Sequence, residues 1–227
     1  MGNIQWEHIF DIHLAWDSLP YILSGLGLTL LISLVSMVIG LVISLFLALG
    51  RASSRFWLRW PSRVYISFMR GVPILIILFL LYFGFPFIGI EFAAVTAAII
   101  GFSLNSAAYM AEINRSAIAA IPKGQWESAR SLGFSYPKMM GRIILPQASR
   151  IAVPPLANIL LDLIKASSLA AMITVPEIFQ LSRVVAGREM DYMTMFILVA
   201  LIYWGVCTVM TIFQNYLEKR YEKFGQT

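Results

Sequence analysis

The chain has 227 residues, of which 59% are hydrophobic and only 13% charged, and its mean hydropathy is +0.78. The charged share is about half that of an ordinary soluble domain. A water-soluble globule, a disordered tail and a disulfide-stapled secreted module are all excluded.

Charge-free windows set out the elements in chain order. Residues 18–50, 71–90, 92–111 and 192–217 contain no Asp, Glu, Lys or Arg. About 20 apolar residues cross a bilayer core as helix. A further stretch, 151–176, is interrupted only by Asp162 and Lys165. The reading is an all-α membrane protein, a single domain over 1–227, with five spans near 20–49, 64–84, 90–112, 151–176 and 193–217. The segment before the first span carries Glu7, Asp11 and Asp17 and no Lys or Arg. It lacks the basic n-region of a cleavable signal, so the first span itself is expected to direct insertion. Cys207 lies inside the fifth span, has no second cysteine to pair with, and reads as a small packing residue.

The pI near 9.5 reflects topology rather than a nucleic-acid surface. Alternate connections hold thirteen basic residues: Arg51, Arg55, Arg59 and Arg63, then six between Arg115 and Arg150, then Lys219, Arg220 and Lys223. The opposite side holds two, Arg183 and Arg188. The positive-inside rule therefore places the N-terminus outside and the C-terminus in the cytoplasm. Between the first two spans, Trp57, Trp60 and Tyr65 interleave with Arg55, Arg59 and Arg63. Indoles beside arginines suit the headgroup layer, as an interfacial helix or the start of the second span.

The one long polar segment, 114–150, is then cytoplasmic. Within it, 122–133 predicts a short helix, with Pro122 at its first turn and Gly133 at the left-handed position that ends it. Ser135 offers a cap for a second helix that ends near Pro146. Such a hairpin is either a solvated amphipathic connection or a docking element that fits a groove on a soluble partner.

The spacing favours docking. Glu127-x-Ala129 is followed after three residues by Gly133, and nine residues later by Ile143-x-Leu145-Pro146. This resembles the E-A-A-x3-G-x9-I-x-L-P loop of ABC importer permeases, with Ser128 replacing the second residue. Matching the other six positions by chance is on the order of one in a million per start site. Arg70-Gly71-Val72-Pro73, Ala108-Tyr109-Met110-Ala111-Glu112, Lys123-Gly124-Gln125-Trp126-Glu127 and Lys165-Ala166-Ser167-Ser168-Leu169 also resemble the polar amino-acid branch of that family. Ser168-Leu169-Ala170-Ala171, Val175-Pro176-Glu177 and Leu201-Ile202-Tyr203-Trp204 look most like L-cystine permeases. The resemblance implies a type I importer permease fold. Gln125, Trp126, Glu127, Ser128, Ala129, Gly133, Ile143, Leu145 and Pro146 would couple it to a cytoplasmic ATPase dimer.

Ionisable residues within spans are functional candidates by default. Asn158, Asp162 and Lys165 stand at i, i+4 and i+7, on one helix face. Arg70 adjoins Gly71 and Pro73, which could break the second span and free carbonyls toward a cavity. A site for an amino acid needs an anion for the ammonium and a cation for the carboxylate. Asp162 suits the first role, and Arg70 or Lys165 the second. Ser167, Ser168 and Asn105 are candidates for the same path. The plainer alternatives stay open: an Asp162–Lys165 ion pair, an Arg70 that snorkels to headgroups, and interhelical hydrogen bonds from the hydroxyls and the amide.

No G-x-x-x-x-G-K-[ST] phosphate loop is present, so ATP and Mg belong to a partner ATPase and this chain is expected to be neither an enzyme nor a cofactor carrier. His8 and His13 both precede the first span, and no metal site is expected. The resemblance further implies a second permease chain, identical or paralogous, an extracytoplasmic amino-acid-binding protein, and a bacterial cytoplasmic (inner) membrane location. Nothing points to nucleic acid. A gated channel or a sensor built on the same spans is the alternative from another class.

Overall fold

The computed structural model describes residues 9–223, with side chains described for 9–216. Glu7, His8 and the side chains of Lys219, Arg220 and Lys223 lie outside the described residues. Every regular element among the described residues is helical. The α-helices are α1 (Ile12–Leu23), α2 (Leu26–Ala52), α3 (Phe56–Gly71), α4 (Ile74–Phe79), α5 (Ala94–Ala119), α6 (Lys123–Ser131), α7 (Tyr136–Met139), α8 (Leu145–Ala166), α9 (Ile178–Glu189) and α10 (Tyr192–Lys223). Four stretches are long and apolar enough to cross a bilayer: Leu26–Ala52, Ala94–Ala119, Tyr136–Ile173 and Tyr192–Tyr216. Phe56–Gly71 and Ile74–Ile88 make a fifth if the bent pair is one span.

Several sequence expectations need correction. The first expected span, 20–49, is not one helix but parts of two, α1 and α2. Asp11 accepts from the His13 and Leu14 amides at 2.8 and 3.0 Å and starts α1, a carboxylate cap on otherwise orphaned donors. The chain then breaks at Ser24–Gly25 before α2. A side chain at Gly25 would come within 2.7 Å of the Glu177 carbonyl carbon and the Ile178 nitrogen. Only glycine permits that approach of two backbones.

The second expected span is likewise not one helix. Pro73 has no N–H and disfavours helical geometry in the residue before it. Val72 is accordingly extended, at φ −98° and ψ 130°. The two sides of the break are bent by 102°.

Pro146 does not end a helix. A π-turn at Met140–Ile144 leads straight into α8, and the Leu145 amide donates to the Met140 carbonyl. Pro146 then lies within one continuous helical stretch, Tyr136–Ile173, directly after the wider π-turn that accommodates a residue without an N–H. Pro154 and Pro155 lie inside α8, as membrane helices tolerate. A 3-10 segment, Ser167–Ile173, follows. The helix α9 in the fourth connection was not foreseen.

The chain divides into two compact units. The first comprises residues up to Ser36, Leu75–Gly101 and Leu161–Ile212. Its core packs Ala15 and Ile22 of α1 against Ile178, Val185 and Ala186 of α9 and Met195, Leu198 and Val199 of α10. The second comprises Met37–Ile74, Phe102–Leu160 and the chain from Phe213. One of its cores gathers Ala117 and Ile121 with Ala129, Met139, Met140, Ile144, Ala148 and Ala152. Another joins Ile66 to Ala108 and Ala111. Small residues dominate the buried face of α5, including Ala97, Ala98, Ser103, Ser106, Ala107, Ala108 and Ala111. Close approach over such residues is how helices hold together where lipid supplies no hydrophobic drive.

Candidate functional site

The expected coupling residues come together in the second unit, as a hairpin with one packed face and one open face. Pro122 sits at the N-cap of α6 rather than inside it. Trp126 and Ala129 point toward Ala117, Ile121 and the Met139–Ile144 turn. On the other side Glu127, Ser128, Ser131 and Leu132 are exposed.

The end of α6 is closed by a Schellman motif. The Gly133 amide donates to the Arg130 carbonyl at 2.9 Å and the Phe134 amide to the Ala129 carbonyl at 3.1 Å. Gly133 has φ +75°, the left-handed value this motif requires of its C′ residue. Phe134 packs back onto the same core as Ala129. Ser135 does occupy the next N-cap, but its hydroxyl makes no capping bond. Gln147 ties α8 to α6 by donating to the Gln125 side chain at 3.1 Å and to the Ile143 carbonyl at 2.9 Å.

Of the remaining coupling candidates, Ile143 is half-buried and Leu145 and Pro146 are exposed. Leu132 and Tyr136 were not singled out from the sequence, yet they are 75% and 61% exposed at the hairpin tip. An apolar residue directly before Gly133, three positions beyond the buried Ala129, was the available signal.

The candidates for substrate contact fall in both units. In the second unit, the Arg70 guanidinium lies 5.5 Å over the Tyr109 ring, a cation–π distance. Asn105 donates from Nδ2 to the Met69 carbonyl at 2.7 Å. That carbonyl is the one Pro73 would have satisfied in an unbroken helix, so the Asn105 amide replaces the missing N–H. Asn158 accepts from Gln214 Nε2 at 3.2 Å.

In the first unit, Lys165 Nζ lies 2.9 Å from Asp162 Oδ1, with both side chains more than half exposed on this chain. The ion pair weighed from the sequence is therefore present. Ser167 is buried and donates to the Ile164 carbonyl at 2.7 Å, and Ser168 donates to the Lys165 carbonyl at 2.8 Å.

A buried polar knot in the first unit escaped the sequence reading. Glu177 is fully buried. It caps α9 by accepting from the Phe179 and Gln180 amides at 2.9 and 2.7 Å, and it accepts from the Tyr203 hydroxyl at 2.8 Å. The adjoining Ile178 amide donates to Thr29 Oγ1 at 3.4 Å. Burial pushes the Glu177 carboxyl above its usual range, against the pull of its three donors. Glu177 had been noted only within a family-like triplet, and no local pattern marks it as buried.

The structure is thus that of a polytopic helical membrane protein with a packed, glycine-terminated hairpin. The chain belongs to the family of binding-protein-dependent transport system inner membrane components, which matches residues 40–223. It is 66% identical over 224 residues to the "Probable amino-acid ABC transporter permease protein YckA" of Bacillus subtilis (strain 168), covering 99% of both chains. It is 37% identical over 206 residues to the "L-cystine transport system permease protein TcyB" of the same organism, covering 90% of this chain and 88% of that one. Among solved structures it superposes with a TM-score of 0.88 at 31% identity on a chain of an amino acid ABC transporter crystallised with histidines, covering 92% of this chain and 98% of that one.

Proposed function

We propose that this chain is the permease subunit of an ATP-driven importer for a polar amino acid, with L-cystine the first candidate. The observation that carries the amino-acid reading is the near-full-length, 66% identity to a permease named for amino-acid transport. Cystine is favoured by the Ser168–Ala171 and Val175–Glu177 motifs and by the relative named for cystine, although that relative is 37% identical. Glutamine, arginine and histidine are the competing substrates.

Two permease chains, identical or paralogous, form the pathway, with their N-termini outside and C-termini in the cytoplasm. An extracytoplasmic binding protein delivers the substrate. Two ATPase subunits, which hold the ATP and Mg, receive the hairpins. The open face of α6 supports this docking: Glu127, Ser128 and Leu132 are exposed, while Trp126 and Ala129 turn to the packed core. Asp162 receives the substrate ammonium, and Arg70 or Lys165 its carboxylate. Ser168 and Asn158 line the path, whereas Ser167, fully buried with its hydroxyl on the Ile164 carbonyl, does not face it. Nucleotide binding moves the hairpins, and the spans rock to alternate the opening.

The test is uptake of labelled cystine by cells with and without this chain, with competitors in modest excess. Loss of uptake in its absence, competition by close cystine analogues and none by histidine, arginine or glutamine are expected. Strong competition by one of the latter moves the substrate elsewhere in the branch. Conduction without nucleotide would favour the channel.

A further inference from the structure

Helix α3 carries an aromatic face that no transport step uses, flanked in its first two turns by a row of arginines. Phe56, Trp57, Trp60, Val64 and Phe68 fall within an arc of about 120° at 3.6 residues per turn. Each is at least 46% exposed, and Trp57 reaches 83%. The Phe56 ring stacks near Trp60 at 6.3 Å and meets Trp57 edge-on at 5.8 Å, so the three rings form one pad. Along the flank of this pad Arg55, Arg59 and Arg63 recur every four residues, one above the other on the helix. Among the described residues none of the three is paired with a carboxylate.

Behind this row the charge is also unbalanced. Arg51, at the end of α2, pairs with Glu112, which also accepts from Arg115 Nε at 3.1 Å. Arg51 and Arg115 therefore share a single carboxylate.

We propose that α3, with Arg51 and Arg115, is a binding site for an anionic phospholipid. The aromatic pad beds at the acyl–headgroup boundary and the arginine row takes the phosphate. Indoles are placed at that depth in membranes generally, and guanidinium forks match phosphate in two-pronged geometry. An amphipathic helix with a basic flank lies in the interface plane. The break at Pro73 leaves α3 free of the direction of the helix that follows it. A free anion would have use for the arginines but not for the aromatic pad, whereas a lipid uses both.

The full-length permease, purified in the complex in which it is extracted, is placed in phosphatidylcholine nanodiscs with increasing phosphatidylglycerol. Bound lipid is counted by native mass spectrometry. Indole quenching is read with each lipid brominated in turn. Preferential retention of phosphatidylglycerol is expected, together with stronger quenching by its brominated form. In Arg55→Gln/Arg59→Gln/Arg63→Gln that preference should fall by about tenfold or more, since each basic residue near an anionic surface contributes to the attraction. Trp57→Phe/Trp60→Phe should remove the extra quenching while leaving the preference. Should the triple variant fail to assemble, Arg59→Gln alone should lower the preference several-fold. Equal retention of the two lipids by the wild type, or an unchanged preference in the arginine variants, overturns the proposal. So does displacement of phosphatidylglycerol by inorganic phosphate, which would mark a free-anion site.

Discussion

Replacing Asn105 by alanine removes the donor that stands in for the N–H absent from Pro73. The Met69 carbonyl, partly buried at the end of α3, is then left without its 2.7 Å partner. An orphaned acceptor of this kind costs about 1–3 kcal/mol. For a chain of this size each kcal/mol lowers Tm by roughly 2–4 °C, so Asn105→Ala should melt roughly 5 °C below the wild type. The assay is thermal unfolding of the purified complex in detergent, paired with uptake into vesicles well below the transition. If Asn105 serves the backbone break, Tm falls while KM at the lower temperature is unchanged. A second change separates the roles further. Pro73→Ala restores an N–H that can reach Met69 in a continuous helix, so the double variant should recover stability. It should also lose uptake, because the break between α3 and α4 closes. An Asn105→Ala protein with unchanged Tm and a raised KM would refute this reasoning and assign the amide to the substrate path.

What the sequence made legible follows from which forces act locally. Charge-free windows mark spans because burying a charge in lipid is costly whatever the neighbours, and the main apolar helices fell where those windows lie. Gly133 was legible because its left-handed backbone is demanded by the helix end itself. The break between α1 and α2 was not, because the first window counts charges and is blind to backbone. Gly25 is dictated by the Glu177–Ile178 backbone, some 150 residues away in the chain. Pro146 misled for a related reason: a proline stops a helix only where its missing donor cannot be accommodated, and the π-turn directly before it widens the helix there. Asn105 read as a polar lining residue, and its bond to Met69 depends on a packing that spacing cannot display. Glu177 was hidden in the same way, since its donors come from α9 and α10.

Three further outcomes are expected. Gly133→Val should leave the protein in the membrane but abolish uptake and ATPase co-purification. No neighbour lies within 4 Å of the added Cβ, so the cost is the left-handed backbone alone, about 1–2 kcal/mol, and it falls on the aim of α6; Gly124→Ala, in the first turn of α6 with equal space, should be harmless. Glu177 has a raised folded-state pKa, so its protonated form stabilises the fold fully below the ordinary glutamate range and that contribution is lost as pH rises through the raised value. Glu177→Gln should remove this part of the Tm-against-pH slope, and superimposable profiles would refute it. The last outcome concerns Asp162, whose pairing with Lys165 at 2.9 Å is compatible with two roles. Asp162→Asn keeps the shape and removes the charge. Loss of a charge-assisted bond to a substrate ammonium should weaken uptake affinity by about 1.5–3 kcal/mol, roughly ten- to a hundredfold. If Asp162 only neutralises Lys165, then Asp162→Asn/Lys165→Met leaves no unpaired charge in the span and should restore expression and uptake together. If Asp162 receives substrate, the double variant should express normally and still fail to transport, because the ammonium has no counter-charge to meet. Recovery of transport in that variant would reduce the pair to a structural tie within α8.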